Sequence, residues 1–354
     1  MLAREPRPAG SDAERRARDY ATGVLRDAGF ATREEAFDYS AFPGRYGTPI
    51  GGALATITVL GSGTVALVSG GTGGGALLLG AGLALTAIFA AGMLGDAVLD
   101  LPLLRARSAN LVATRGMDAP TVWLVAHLDS KSQPVPSAVR VAGIALLALA
   151  IVAAAVAAAL QLAGQPHRTA WWVAIVLTVV GAPAVIASVV GEASDGAVDN
   201  ASGVATVLEA ARRVSPDRAL GILLPSAEEL GLAGARTWAR EWGRTRAPGI
   251  ALNCDGVDDI GELTIMYSGR TSTDLLDSLR RAAPASVRVR RMPLGLLTDS
   301  VALAGRGWRT VTVSRGSWAT LRRVHSRHDS LDHITGRGID ETATLLARAV
   351  EALA

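Results

Sequence analysis

Four long stretches without a single charged residue interrupt the polar rhythm of this chain. The first two lie between Tyr46 and Gly95, and the glycine-rich break Gly70–Gly75 divides them into about 20 residues on each side. Each half is long enough, as a helix, to cross a hydrocarbon core of roughly 30 Å. The second pair is Val141–Ala163 and Trp171–Val190, joined by the turn sequence GQPHR at 164–168. Trp171 and Trp172 open the last stretch, where an interfacial aromatic belt would place them, and Pro183 lies inside it as a possible kink. The abundant Gly and Ala allow helices to approach closely. The pattern predicts four transmembrane helices in two hairpins, at 48–95 and 138–190. The competing reading is that they are buried helices of a soluble protein, but four such stretches are hard to bury in 354 residues.

Outside the hairpins the periodicity changes. The runs TVWLVAH (121–127), ALGILLPSA (219–227) and GIALNCD (249–255) read as short buried strands, and ASGVATVLEAARRV (201–214) reads as a helix. Such an alternation predicts an α/β fold with an open, mostly parallel sheet whose site lies at the strand ends. Near the N-terminus, Ser11 is placed to cap a helix, Glu14 follows three residues on, and Tyr20 and Leu25 continue its apolar stripe. The charged opening has no apolar core of a signal peptide.

Each hairpin returns the chain to the side it left. Segments 1–47, 96–137 and 191–354 then form one domain on one side of the bilayer. The far loops carry only Arg168 and His167, whereas Arg45, Arg105, Arg107, Lys131 and Arg140 lie close to the spans on the near side. By the positive-inside rule the domain faces the cytoplasm of a bacterial plasma membrane.

Composition agrees. Hydrophobic residues make up 49% and aromatics only 4%, as in chains with membrane spans. The net charge of +3 includes no dense basic run, so nucleic acid is not an expected partner. Cys254 is the only cysteine, which excludes an intrachain disulfide.

The chemistry lies in six residues: His127 in AHLDS, Asp199 in AVDNASGVA, Glu228 and Glu229 in SAEELGLAG, Asp255 in NCDG and His325 in VHSRHDS. Singly, each has an ordinary explanation as a capping, surface or core residue. Together they offer imidazole nitrogen and carboxylate oxygen, the donors zinc favours. Asp129, two residues after His127, can accept the other ring N–H of a ligating histidine. Asp199 has two oxygens and could bridge two ions. Of Glu228 and Glu229, one can bind metal while the other takes a proton from water. Asp329 is placed to support the His325 loop. Cys254 reads as a small buried residue beside the site.

In this order the motifs resemble those of the co-catalytic di-zinc aminopeptidases of metallopeptidase family 28 (clan MH), which also contains glutaminyl cyclases and inactive receptor-like members. The family pattern H-x-D, D-[DN]-x-[SA]-G, E-E-x-G-x-x-G, Asp and a late H-x-x-x-D-[ST] is similar to His127–Asp129, Asp199–Gly203, Glu228–Gly234, Asp255 and His325–Ser330. His127 and Asp199 stand 72 residues apart, and removing 138–190 leaves the short gap of 19 expected of the family. The resemblance covers about 250 residues and implies a zinc-exopeptidase-like fold with two zinc ions. It assigns His127, Asp199 and Asp255 to one ion, and Asp199, Glu229 and His325 to the other. It makes Glu228 the base and Asp129 the group that orients His127. It also implies a cis peptide at Asp199–Asn200. Val324 stands where members often carry Tyr, and Thr298-Asp299-Ser300 replaces an S-D-H segment. The resulting expectation is a membrane-anchored metallo-exopeptidase acting on the N-terminal residues of peptides. A glutaminyl-cyclase-like acyltransferase and a non-catalytic scaffold or receptor are the alternatives. A transporter is a weaker one, since the spans hold no ionisable residue.

Overall fold

The computed structural model describes residues 2–353 apart from 70–72, 166, 269–272, 284–285 and 294. Its chain divides into two units: one of residues 1–41, 104–132 and 192–354, the other of 42–103 and 133–191.

The first unit is built on an eight-stranded sheet. Its strands are β1 (Ala31–Ser40), β2 (Arg105–Arg115), β3 (Val122–Val125), β4 (Leu220–Leu224), β5 (Ile250–Val257), β6 (Glu262–Tyr267), β7 (Arg288–Arg291) and β8 (Arg309–Gly316). Their spatial order is β1-β2-β4-β3-β5-β8-β6-β7. The inner strands β4, β3, β5 and β8 run parallel. β3 and β4 are buried at every position, which is why they read as uninterrupted apolar runs. β1 and β7 lie at the edges and carry ATREEAFDYS and RVRR. Charge on an edge strand discourages pairing with another chain, and it also hides the strand from a search for hydrophobic runs. The expected mixed, mostly parallel sheet flanked by helices is therefore present.

Period-two alternation gives the sheet two different faces. On one, Leu124, Ile222 and Leu252 pack with α1 (Asp12–Asp27), α6 (Gly203–Arg213), α8 (Thr273–Ala282) and α11 (Arg337–Leu353). On the other, Trp123, Val125 and Leu223 pack with Trp238 and Trp242 of α7 (Ala233–Trp242) and Leu303 of α9 (Asp299–Ala304). Trp123, Trp238, Trp242 and Trp308 form an aromatic cluster, with Trp123 4.9 Å from Trp238 and 5.0 Å from Trp242 between ring centroids. The Trp123 indole N–H donates to the Pro120 carbonyl at 2.8 Å. Gly221 is its cross-strand neighbour. A Cβ there would come within 2.2 Å of the indole, so glycine makes room for the ring.

The second unit consists of α2 (Phe42–Val68), α3 (Gly74–Leu94), α4 (Ser137–Leu162), α5 (Arg168–Ile186) and a 3₁₀ turn at Asp96–Asp100. All four α-helices are long and apolar enough to cross a membrane. The helices extend past the uncharged stretches. α2 begins at Phe42 and takes in Arg45, and α5 begins at Arg168. Lack of charge marks the apolar span, whereas helix ends are set by hydrogen bonding. Gly143 of α4 meets Gly181 of α5 so closely that a Cβ at Gly143 would lie 2.8 Å from the Gly181 carbonyl oxygen. Trp171 is buried, and its indole N–H donates to Gln161 Oε1 at 3.3 Å, while Trp172 is exposed.

Both insertions close at their base within the first unit. The Ala41 N–H donates to the Leu104 carbonyl at 3.0 Å, and the Ala193 N–H donates to Ser132 Oγ at 2.8 Å. The strand network thus continues across each excursion. α10 (Trp318–Arg323) follows β8.

Truncating the centre of the aromatic cluster tests the packing claim. Trp123→Ala is expected to cost about 3–5 kcal/mol and to lower the thermal midpoint of the detergent-solubilised protein. An unchanged midpoint would show that the cluster is not central to stability.

Candidate metal centre

The parallel strands deliver the site residues at their C-terminal ends. After β3, the Leu128 N–H donates to the Pro225 carbonyl at 2.8 Å, which keeps the His127 loop beside the loop that follows β4. His127 is buried. Its Nδ1 lies 3.0 Å from its neighbour Asp129's main-chain carbonyl and 3.6 Å from that residue's carboxylate. The ring is therefore held by the Asp129 backbone rather than by its side chain as expected. The Asp129 carboxylate accepts the backbone N–H groups of Glu228 and Glu229 at 3.1 and 3.2 Å. One residue thus locks the histidine loop to the glutamate loop.

Asp199 stands on a turn ahead of α6. The Asp329 carboxylate accepts the N–H groups of Val198 and Asp199 at 2.7 and 3.1 Å, so it supports the Asp199 turn rather than only its own His325 loop. The Asp199–Asn200 peptide is cis. The buried Asn200 side chain accepts from Gly203 and Gly256 N–H and donates to the Cys254 carbonyl, tying this turn to the end of β5, where Asp255 sits. His325 follows α10, which Ser317 and Thr320 cap and which Asp258 holds through Thr320 and Arg323. Ala227, Leu232 and His325 all have positive φ. Non-glycine residues in that region carry strain, and such strain clusters at functional sites.

The side chains converge on two donor clusters, His127–Glu228–Asp255 and Asp199–Glu229–His325. One Asp199 oxygen lies 3.1 Å from His127 Nε2 and the other 2.8 Å from His325 Nε2. His127 Nε2 is also 3.8 Å from Asp255, and His325 Nε2 is 3.5 Å from Glu229. A single carboxylate therefore faces both histidines, one oxygen to each. Cys254 points elsewhere, into the apolar core.

The electrostatics are those of a cation site. Burial and then the charges of Glu229, Asp255 and Asp299 push the Glu228 carboxyl well above the usual range, against the pull of His127. Burial pushes the carboxyl of Asp299 up to about 8, and neither of its oxygens has a hydrogen-bond partner. Buried His127 Nε2 and Glu229 Oε1 likewise lack hydrogen bonds. Carboxylates buried together at this density are costly without positive charge, and the orphaned donor atoms are the ones a metal ion would take. The residue set fits zinc.

Three charged residues lie at or beside the site without sequence reasoning having placed them there. Lys131 pairs with Glu229. Burial alone would lower its ammonium, but Glu229, Glu228 and Asp199 outweigh that and raise it. Burial raises the Glu229 carboxyl, but Lys131 and His325 together more than reverse this, bringing it to about 2. Arg7 donates to the carbonyls of Leu128, Asp195 and Gly196. Glu14 is fully buried, accepts from the Gly10 N–H and from Ser108, and is pushed up to about 7, first by burial and then by Asp129. Ser11 caps α1 as expected, accepting the Glu14 N–H at 3.1 Å.

A sequence profile of peptidase family M28 matches residues 110–350. The chain belongs to peptidase family M28. That makes it a zinc-dependent hydrolase. Solved structures share the fold. An aminopeptidase from Aneurinibacillus sp. strain AM-1 superposes with a TM-score of 0.56 at 16% identity, covering 99% of this chain and 91% of that one. The zinc aminopeptidase BSAP of Bacillus subtilis gives 0.54 at 14% identity, covering 98% and 90%. A glutaminyl cyclase of Bacteroides thetaiotaomicron, bound to N-acetylhistamine, gives 0.56 at 14%, covering 98% and 91%. No curated protein sequence matches the chain. All seven candidate site residues and Lys131 fall within the M28 match, whereas Arg7 and Glu14 precede it.

Glu14 carries a prediction with a definite sign. Its pKa of about 7 in the folded chain lies above the ordinary glutamate value of 4.5. Between those pH values the unfolded chain loses a proton that the folded chain keeps, so stability falls as pH rises through the window and levels off above it. A shift of this size is on the order of 3 kcal/mol. Glu14→Gln removes the titration. Relative to wild type, the variant's melting temperature is expected to improve from pH 5 to pH 8, and parallel profiles would refute the assignment.

Proposed function

We propose that this chain is a membrane-anchored di-zinc aminopeptidase that removes N-terminal residues from peptides. The observation that carries this reading is Asp199, whose two carboxylate oxygens address His127 and His325 separately. On this reading His127, Asp199 and Asp255 hold one ion, and Asp199, Glu229 and His325 hold the other. When bound, zinc supplies Lewis acidity, which lowers the pKa of water and polarises a carbonyl.

The protein's own groups do the rest. Glu228 lies in the donor cluster of His127 and Asp255 and is not needed as a ligand in the assignment above. Its carboxylate takes a proton from the attacking water and delivers it to the departing amine. Burial first, and then the neighbouring acids, push the Glu228 carboxyl up, and two dications would offset the acids' share of that shift. Asp129 fixes the Glu228 backbone. Val324 offers no hydroxyl for the developing oxyanion, so its side chain gives no hydrogen bond there.

A glutaminyl-cyclase-like acyltransferase shares this fold, but two complete donor clusters favour two ions over one. A non-catalytic receptor is disfavoured because every expected ligand type is present. The four apolar helices support an integral membrane protein, with the lipid bilayer as a partner, and the charge bias around the spans supports a cytoplasmic catalytic unit of a bacterial plasma membrane.

Glu228→Gln is the decisive variant. Turnover of N-terminal peptide substrates is expected to fall at least about 10²-fold, while zinc content by elemental analysis stays at the wild-type level. Activity that survives the change would remove Glu228 as the base. A zinc content near zero in folded wild-type protein would remove the enzyme reading itself. Sidedness is checked with Gln165→Cys, whose loop is expected to react with an impermeant thiol reagent in intact cells; labelling only after permeabilisation would reverse the orientation.

A further inference from the structure

The loop after β3 does not end its polar sequence at Asp129. It continues into Lys131, which the hydrolytic roles above leave unused. Lys131 Nζ pairs with Oε2 of Glu229, and that side chain is only 3% exposed. The other oxygen, Oε1, has no hydrogen-bond partner and lies 3.5 Å from His325 Nε2. The two oxygens of one carboxylate are thus divided. One is held by an ammonium, and the other is turned toward the space shared by His325 and Asp199.

The backbone around Lys131 is fixed on both sides. The Ser130 N–H donates to the Arg7 carbonyl at 2.9 Å, and Ser130 Oγ donates to the Ser194 carbonyl at 2.9 Å. Ser132 Oγ accepts the Ala193 N–H at 2.8 Å. The stem of Lys131 therefore starts from a set position and is 16% exposed at its side chain. This arrangement differs from a surface ion pair, in which both partners are mobile and solvated.

We propose that Lys131 is a positioning residue that withholds Oε2 of Glu229, so that only Oε1 is offered to the ion beside His325. The inference rests on the di-zinc reading. Two consequences follow, and they oppose each other. A carboxylate that can use both oxygens fills a further position on its ion, so restricting it keeps that position free for water or a substrate carbonyl. An ammonium beside a ligand also repels a dication, so the same contact weakens the ion's affinity. Lys131 exchanges affinity for an open position.

Cobalt(II) tests this directly, because its visible absorption weakens as its coordination number rises. Metal-free wild type and Lys131→Met are titrated with Co²⁺, following absorption and bound metal. In Lys131→Met the second Co²⁺ is expected to bind about tenfold more tightly, with weaker visible absorption, while kcat falls and KM changes little. Lys131→Arg, which keeps the charge, is expected to return affinity and spectrum toward wild type. If Lys131→Met does not fold by its melting curve, Lys131→Gln, neutral but able to donate a hydrogen bond, carries the same comparison. Unchanged second-ion affinity and spectrum in the neutral variant would overturn the proposal. Failure of wild type to bind a second Co²⁺ would instead overturn the di-zinc reading, since that result involves no Lys131 variant.

Discussion

A concentration of negative charge at the C-terminal ends of four parallel strands is the constraint on which the rest of the structure depends. Asp129, Asp199, Glu228, Glu229, Asp255 and Asp299 gather there, and burial makes each more costly than it would be in water. Such a cluster persists only if something answers it. Backbone N–H groups answer Asp129, an ammonium answers one oxygen of Glu229, and two imidazoles answer Asp199. What these leave unanswered, including both oxygens of Asp299 and Oε1 of Glu229, is the demand for cations. Metal binding in this fold is therefore a property of the apolar sheet as much as of the ligands. The sheet excludes the water that would otherwise solvate the acids.

Three of these strands, β3, β4 and β5, were legible in the sequence because they are buried apolar runs, whereas β8, RTVTVSRG, mixes polar residues into its run and was not. Runs such as TVWLVAH need no alternation to be recognised, and each ends at a functional residue. The outer strands were not legible. β1 has three acidic residues, and β7 is three-quarters arginine, because an edge strand packs little and protects itself with charge. The ligand types could be read for a related reason. His, Asp and Glu in fixed local contexts announce donor chemistry wherever the fold takes them.

Charged residues that act through distant contacts announce nothing. Arg7, Glu14 and Lys131 look like ordinary surface residues in a sequence with many charges. Their meaning comes from partners more than a hundred residues away for Arg7, and from the far loop for Lys131. The role of Asp129 shows the same limit at short range. Its spacing from His127 was right, yet the carboxylate turned to the Glu228–Glu229 backbone and the carbonyl took the ring. Spacing fixes which groups can meet, but neighbours brought by tertiary structure decide which atoms do. The four tryptophans were equally silent, because their positions are scattered and only the sheet and α7 assemble them.

Arg7 resolves the apparent conflict between a rigid metal centre and the apolar insertion that separates two of its ligands. His127 and Asp199 belong to loops divided by a pair of long helices, and a freely moving excursion of that length would let the two loops drift. One guanidinium holds them instead. Its Nε takes the Leu128 carbonyl, next to His127, while its Nη groups take Asp195 and Gly196, close before Asp199. A planar fork with several donors suits this task better than a lysine would, because it grips several carbonyls in one geometry. Burial lowers its pKa only to about 10, so the charge that steadies these carbonyls persists at any physiological pH. The segment before α1 thereby ties together two ligand loops that a pair of long helices separates in sequence.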